Sequence, residues 1–266
     1  MKTSRLKTIV IVILLLVNAF LLFLLLSRRA EERDSNERRI EQLCTLFEKN
    51  GVDFDRALLP DEETHLSLSL ERNAAREEDF ASALLGTATD GDSGGGVSRF
   101  TGEYGSCSIR SGGTVDALVS RPVDDPEDFC RQLFKTFGYT LLSSQLADGS
   151  GSVTGVRSEK GRLIFNASLM LTFSDGSLTG ASGTFLPALN ESRRTTAGLD
   201  AVDALVHFLD YCSTSGVVCT EVRALDEGYL LQTSSASPLR LQGVWRISTD
   251  VSSYYVNCKT GEITRE

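Results

Sequence analysis

The pattern of apolar and polar positions divides the chain into a rod and a body. Residues 9–26 form an unbroken apolar run of eighteen residues whose only polar member is Asn18. At about 1.5 Å per residue a helix of this length reaches roughly 27 Å, close to the thickness of a bilayer's hydrocarbon core. The run exceeds the apolar region of a cleaved leader and passes straight into Ser27-Arg28-Arg29 with no small-x-small site, so it is expected to be an uncleaved anchor. On a helix, Ile11, Leu14, Leu15, Asn18, Leu21, Leu22 and Leu25 share one face. The amide of Asn18 either seeks a partner on another helix in the membrane or bonds its own backbone. Leu14, Asn18, Leu21, Leu22 and Leu25 are therefore the candidate contact residues.

Beyond the rod the periodicity alternates between helix and strand. Residues 30–50 read as a helix, charged at first and then amphipathic, with Ile40, Leu43, Cys44 and Phe47 on one face and Gly51-Val52 as its stop. Its first half is expected to be a solvated stalk. Residues 65–70 alternate like a half-buried strand, and 86–98, rich in Gly, Ser, Thr and Asp, are expected to form a flexible loop. Short strands broken by glycines occupy 100–120. The best-marked helix begins at Asp125-Pro126, carries Glu127 and Asp128 in its first turn, lines Phe129, Cys130, Leu133, Phe134 and Phe137 on one face and ends at Gly138. Residues 139–157 are expected to add one strand. From Leu163 to Phe173 every second residue is apolar, and Asp175-Gly176 signals a hairpin. A helix is expected over 197–211 with Leu199, Val202, Leu205, Val206 and Leu209 buried. Asp226-Glu227-Gly228 reads as a turn between the strands after it.

This order predicts an α+β fold: antiparallel sheets, each packed by helices on one face. The domains expected are a stub at 1–8, the transmembrane helix at 9–26, a juxtamembrane helix at 27–51, an α+β region at 52–122 and a C-terminal α+β domain at 123–266. The last two units, 123–190 and 191–266, repeat the same order of elements.

Charge sets the orientation and removes some partners. The chain carries a net charge of −9; without Lys2, Arg5 and Lys7 of the stub, 24 basic residues face 36 acidic ones. A purely basic stub favours an N-terminus in the cytoplasm and the body outside. A body this acidic disfavours nucleic acid. The six cysteines show no CxxC spacing. Several fall at apolar positions and are expected to be buried thiols, with disulfides as the alternative and Cys212/Cys219 the closest pair.

Candidate chemistry is sparse. His65 and His207 are the only histidines, and no GxSxG motif accompanies them. Asp200, Asp203, His207 and Asp210 share a helix face, an arrangement common to solvated faces and to metal sites; the solvated reading is preferred. Asn166-Ala167-Ser168 and Asn190-Glu191-Ser192 match the glycosylation sequon. No catalytic, cofactor-binding or metal-binding residues are expected, and no enzyme.

The C-terminal stretch is the most distinctive. It runs Val244-Trp245-Arg246-Ile247, a short gap, then Tyr254-Tyr255-Val256-Asn257-Cys258-Lys259-Thr260-Gly261-Glu262. This is the pattern of a hairpin closed by a tight turn at Lys259-Thr260-Gly261. It resembles the last hairpin of PepSY-like domains and, more closely, of the YycI family. The stretch 164–178, the 216–221 strand and the rod with Ser4, Lys7, Thr8 and Asn18 are similar to that family too; residues 52–122 are not. The resemblance implies tandem PepSY/cystatin-like units on a single membrane helix. It also implies a non-enzymatic regulator that associates with a YycH-like protein and modulates an envelope sensor histidine kinase of Gram-positive bacteria, partly through membrane-helix contacts. A PepSY/cystatin-like binding or protease-inhibitory module is the alternative expectation.

Overall fold

Local signals place most elements of the body. In the computed structural model, which describes residues 17–18, 20–22, 34–60, 68–69, 72–90, 94–159, 161–186, 198–234 and 237–266, the first helix of the body, α1, spans 34–49. Its apolar face buries Leu43 and Phe47. It ends as expected at Gly51: the Gly51 N–H donates to the Glu48 carbonyl (3.0 Å) and that of Val52 to Phe47 (3.1 Å). Two short strands, β1 (Asp53–Phe54) and β2 (Leu68–Ser69), and a 3₁₀ turn at Arg56–Leu58 lead into the main architecture. His65 lies outside the described residues.

The rest of the body repeats one helix and four strands three times. The first unit is α2 (Ala74–Leu85), β3 (Ala88–Asp90), β4 (Val97–Gly102), β5 (Gly105–Arg110) and β6 (Thr114–Pro122). The second is α3 (Pro126–Phe137), β7 (Tyr139–Ala147), β8 (Ser150–Glu159), β9 (Arg162–Ser174) and β10 (Ser177–Thr184). The third is α4 (Ala201–Ser215), β11 (Glu221–Ser234), β12 (Ser237–Thr249), β13 (Ser253–Asn257) and β14 (Ile263–Arg265). The fold is α+β, dominated by sheet. The sequence pattern shows the repeat in the last two units; the structure adds the first, where the patterning is too broken by glycine to read.

The strands pair in the order β14-β13-β12-β11-β9-β10-β6-β5-β4-β3, with β8 and then β7 branching from β9. Within each unit the strands are antiparallel neighbours. Strand β6 pairs along its length with β10, so the sheet runs across the line at 122/123. The third unit joins through β9. The C-terminal half of β9 holds β10, from Leu169 to Ser174. Its N-terminal half meets β11 in parallel, Ile164 opposite Tyr229.

That crossing corrects one expectation. Asp226-Glu227-Gly228 is not a turn; it lies inside β11. Gly228 is there because the backbones approach closely: a Cβ would come within 2.6 Å of the Leu163 carbonyl and 2.5 Å of the Phe165 ring. Glu227 reaches Arg162 of β9 (2.7 Å) and Asp226 reaches Arg246 of β12 (2.7 Å). The side chain of Asn166 donates to the Leu231 carbonyl (2.9 Å) and accepts from its N–H (2.7 Å). The sequon asparagine is thus a rung of the β9–β11 ladder; Asn190 lies outside the described residues.

Other expectations change too. The stretch 86–98 is not all loop: β3 pairs with β4 from Ala88 opposite Gly102 to Asp90 opposite Phe100, because a backbone ladder needs no large side chains. Residues 139–157 form two strands, turning at Asp148-Gly149 just as β9 and β10 turn at Asp175-Gly176. The two turns lock together: the Gly176 N–H donates to the Gly149 carbonyl (2.9 Å) and that of Asp175 to the Ser150 hydroxyl (2.9 Å).

Helix α4 starts later than the periodicity suggests, with Asp200 accepting from the Asp203 N–H as its cap. Leu199 precedes it; the Leu199 carbonyl accepts the indole N–H of Trp245 (2.9 Å). Val206 faces outward, and Phe208 takes a buried place instead.

Two main cores result. Helices α2 and α3 cover the sheet of the first two units over Phe80, Leu84, Phe134, Phe137, Leu171 and Phe173. Helices α1 and α4 cover β11–β13 over Phe47, Leu205, Phe208, Trp245 and Tyr254. Trp245 and Phe208 are wholly buried, each contributing about 2–3 kcal/mol of transfer free energy. A smaller cluster, Ile164, Tyr229, Leu231 and Leu241, fills the β9–β11 crossing.

The expected anchor falls largely outside the described residues. Val17, Asn18, Phe20, Leu21 and Leu22 are helical and exposed; Leu14 and Leu25 are not among those described. No helix of the described residues is long and apolar enough to cross a membrane.

Candidate protein-binding surface

On the polar face of α4 His207 and Asp210 are exposed, as expected of a solvated face, while Asp200 and Asp203 have a structural role. Arg39 of α1 pairs with Asp200 (2.9 Å) and Asp203 (2.9 Å), which fastens α1 onto α4. The second half of α1 is docked, as its amphipathic face leads one to expect, with Leu43 and Phe47 buried, and the contact extends back to Arg39. The His207 ring lies beside the C-terminal turn, where a Cβ on Gly261 would lie 3.0 Å from it. That turn is the one expected: Asn257 Oδ1 accepts from the N–H groups of Lys259 (2.8 Å) and Thr260 (3.2 Å). The buried carboxylate Glu77 is held by Arg72 at 2.7 and 3.0 Å. No cluster of metal-ligating side chains occurs among the described residues. All six cysteines are free thiols, four buried and Cys44 and Cys212 half-buried.

A different feature stands out at the branch of the sheet. Helix α3 is capped by Asp125, whose Oδ1 accepts from Glu127 (2.9 Å) and Asp128 (3.1 Å). At its other end the Arg157 guanidinium donates to the Phe137 carbonyl, a cation placed at the negative end of the helix dipole. Burial lowers the pKa of Arg157 below its ordinary value, opposed mainly by Tyr139. Tyr139, next in the chain after the helix-ending Gly138, is buried. Its hydroxyl donates to the Thr184 carbonyl (2.5 Å), and desolvation pushes its pKa up.

These contacts fix where β7 starts and aim it outward. Strand β7 pairs with β8 alone among the described residues, leaving its other edge open. Its nine residues, YTLLSSQLA, include no charge and no proline. Thr140 to Gln145 are exposed in succession, with Leu141 at 58% and Leu142 at 62%. Leu142 is the extra residue of a bulge, since Leu141 pairs with Gly155 and Ser143 with Thr154. An open edge with none of the usual charged guards is a template for another strand.

A groove of about 500 Å³ runs beside this edge between α3 and β7, lined by Arg131, Phe134 and Lys135 on one wall and Tyr139, Leu141 and Ser144 on the other. Phe134 reaches its floor because β8 has Gly155 beneath it; a Cβ there would lie 2.9 Å from the ring. Cys130 also lines the groove, and burial, reinforced by Glu127, pushes its thiol up to about 12. It is therefore a protonated, weakly reactive wall. Backbone donors and acceptors on the edge and an apolar recess beside it suit an extended peptide whose alternate side chains drop into the groove. The signal is present in the sequence as nine successive uncharged residues; reading 139–157 as one strand hides the edge.

No protein-family model matches the chain, and no curated protein matches it. Among solved structures, the chain is similar to the Bacillus megaterium YpeB C-terminal domain, with 14% identity, 74% of this chain and 98% of that one covered, and a TM-score of 0.39. It is also similar to an uncharacterized protein from Eubacterium rectale ATCC 33656, with 10% identity, 76% and 81% covered, and a TM-score of 0.41. Neither likeness states what this chain binds.

Proposed function

We propose that this chain is a membrane-anchored regulatory protein that works by binding other proteins rather than by turning over a substrate. The open, uncharged edge of β7 carries the reading: it is a surface for strand addition. In this proposal residues 9–26 span the membrane with the stub in the cytoplasm, and the body, three PepSY/cystatin-like units, stands outside. The resemblance of the rod and of the C-terminal hairpin to the YycI family supplies the partners: an envelope sensor histidine kinase and a YycH-like protein. Leu14, Asn18, Leu21, Leu22 and Leu25 contact the kinase's membrane helices, and β7 takes an extended segment of the partner's exterior part. Engagement of Glu77, Asp200 and Asp203 in ion pairs fits a body without catalytic work.

The test uses the full-length chain in a Gram-positive cell that has the kinase and lacks its own YycI-like protein. The phosphorylated fraction of the response regulator is measured with the native chain and with residues 9–26 replaced by an unrelated anchor. The expected result is altered kinase output with the native chain and loss of that effect with the swap. Equal output with either chain contradicts the membrane-helix part of the proposal. If the isolated body instead inhibits a protease, the binding-module reading replaces the kinase one.

A further inference from the structure

We infer that the segment received by the β7 edge is an apolar–acidic strand: one side chain covers the apolar floor of the groove and, two residues further on, a carboxylate meets Lys135. The inference rests on the strand-addition reading proposed above.

The wall that α3 presents to the groove is a row. Glu127, Arg131 and Lys135 stand four residues apart and all line it, and the buried Cys130 and Phe134 complete that wall. Four residues of helix rise about 6 Å, and two residues of strand span roughly 6.7 Å. A strand laid beside β7 therefore presents successive groove-side residues to successive members of the row. The chain reverses at Gly138, which is in the left-handed conformation. Strand β7 then returns alongside α3, since residues from both ends of that helix line the groove together with β7 as far as Ser144. A segment added antiparallel to β7, as β8 is on the other side, runs in the direction of α3. It meets Glu127 first, the apolar floor next and Lys135 last.

The charges of the row differ in what they already hold. Arg131 is paired with Asp128 (3.0 Å), which does not line the groove. Lys135 is exposed and has no ion-pair partner among the described residues. Strand β7 adds no charge of its own. Lys135 is thus the cation left for a ligand, and Leu141, 58% exposed on the opposite wall, is the apolar surface left to cover. A carboxylate answers the first and an aliphatic or aromatic side chain the second, with the alkyl stem of Arg131 closing over it.

Two effects oppose a carboxylate here, and both are offset. The carbonyl end of α3 is the negative pole of its dipole, but the buried Arg157 guanidinium already donates there, to the Phe137 carbonyl. The body carries 24 basic residues against 36 acidic ones. That repulsion is screened beyond about 8 Å at physiological ionic strength, whereas a contact at Lys135 is shorter than this length.

The full-length chain in detergent micelles is titrated against three fluorescein-labelled heptapeptides of alternating threonine and valine. They differ only at the sixth residue, which is glutamate, glutamine or lysine. Fluorescence anisotropy reads affinities as weak as about 1 mM. The glutamate peptide is expected to bind about fivefold tighter than the glutamine peptide, with the lysine peptide weakest. Lys135→Glu, at an exposed position, is expected to reverse that order. A glutamate peptide N-methylated on every residue keeps its side chains but loses its backbone donors, and is expected not to bind. If the three peptides bind the native chain equally while the N-methylated one does not, the acidic preference is overturned and strand addition stands. A preference that persists unchanged in Lys135→Glu overturns the placement of the carboxylate. If the N-methylated peptide binds as well as its parent, or none of the three binds, the strand-addition reading falls and this inference with it.

Discussion

Burial decides what individual side chains do in this protein more than their sequence neighbours do. Cys107 and Cys130 sit in the first core, and desolvation pushes both thiols up to about 12. Periodicity marks Cys130 as core because it shares a face with Leu133, Phe134 and Phe137. Nothing local marks Asn166 as a rung between strands, because its partner, Leu231, is 65 residues away. The thiols give a pH prediction. A folded-state pKa raised above the unfolded value contributes stability that is intact below about pH 9 and is lost as pH rises towards 12. Urea midpoints of the reduced protein are therefore expected to fall between about pH 8 and about pH 10.5. The fall should be smaller in Cys107→Ala, which removes one buried thiol. Equal falls in the two proteins would show that Cys107 ionises alike in the folded and unfolded states.

Elements with self-contained signals are readable in the sequence, and those defined by distant partners are not. The cap, face and stop of α3 all lie within fourteen residues, 125–138, and the structure reproduces them. The Asp175-Gly176 hairpin is local in the same way. The start of α4 is not, because Leu199 looks like helix periodicity, whereas its carbonyl serves Trp245 across the core. The same logic makes the middle of β11 look like a turn, since a glycine that permits close approach of two strands resembles in sequence a glycine that permits a bend. Gly228→Ala tests this at the scale of the strand crossing. The added methyl meets backbone and ring at about 2.5 Å and is expected to cost roughly 2–4 kcal/mol of stability. Denaturant unfolding measures it. A loss below about 0.5 kcal/mol would be that of an exposed turn position and would contradict the crossing.

At the scale of the molecule, the helix-and-four-strand unit occurs three times, and the first strand of its second copy, β7, has an edge that no other strand of the described residues uses. The sequence shows the α+β class, the last two units and the closing hairpin. It does not show that β6 joins β10, nor that β9 is shared between β10 and β11, because those pairings bring together segments far apart in the chain. The candidate surface is hidden for the same reason: an edge is defined by the strand that is missing beside it. The central claim is that this edge, on a body tethered by residues 9–26, receives a partner's strand. The most direct measurement places a photo-crosslinking residue at position 142 of the full-length chain in its native membrane and identifies the captured protein by mass spectrometry. The predicted product joins position 142 to an extended exterior segment of an envelope sensor kinase or its YycH-like companion, and it disappears when Leu141→Lys puts a charge on the edge. Capture that is unaffected by Leu141→Lys, or no capture from position 142 while position 18 captures the kinase, would contradict it.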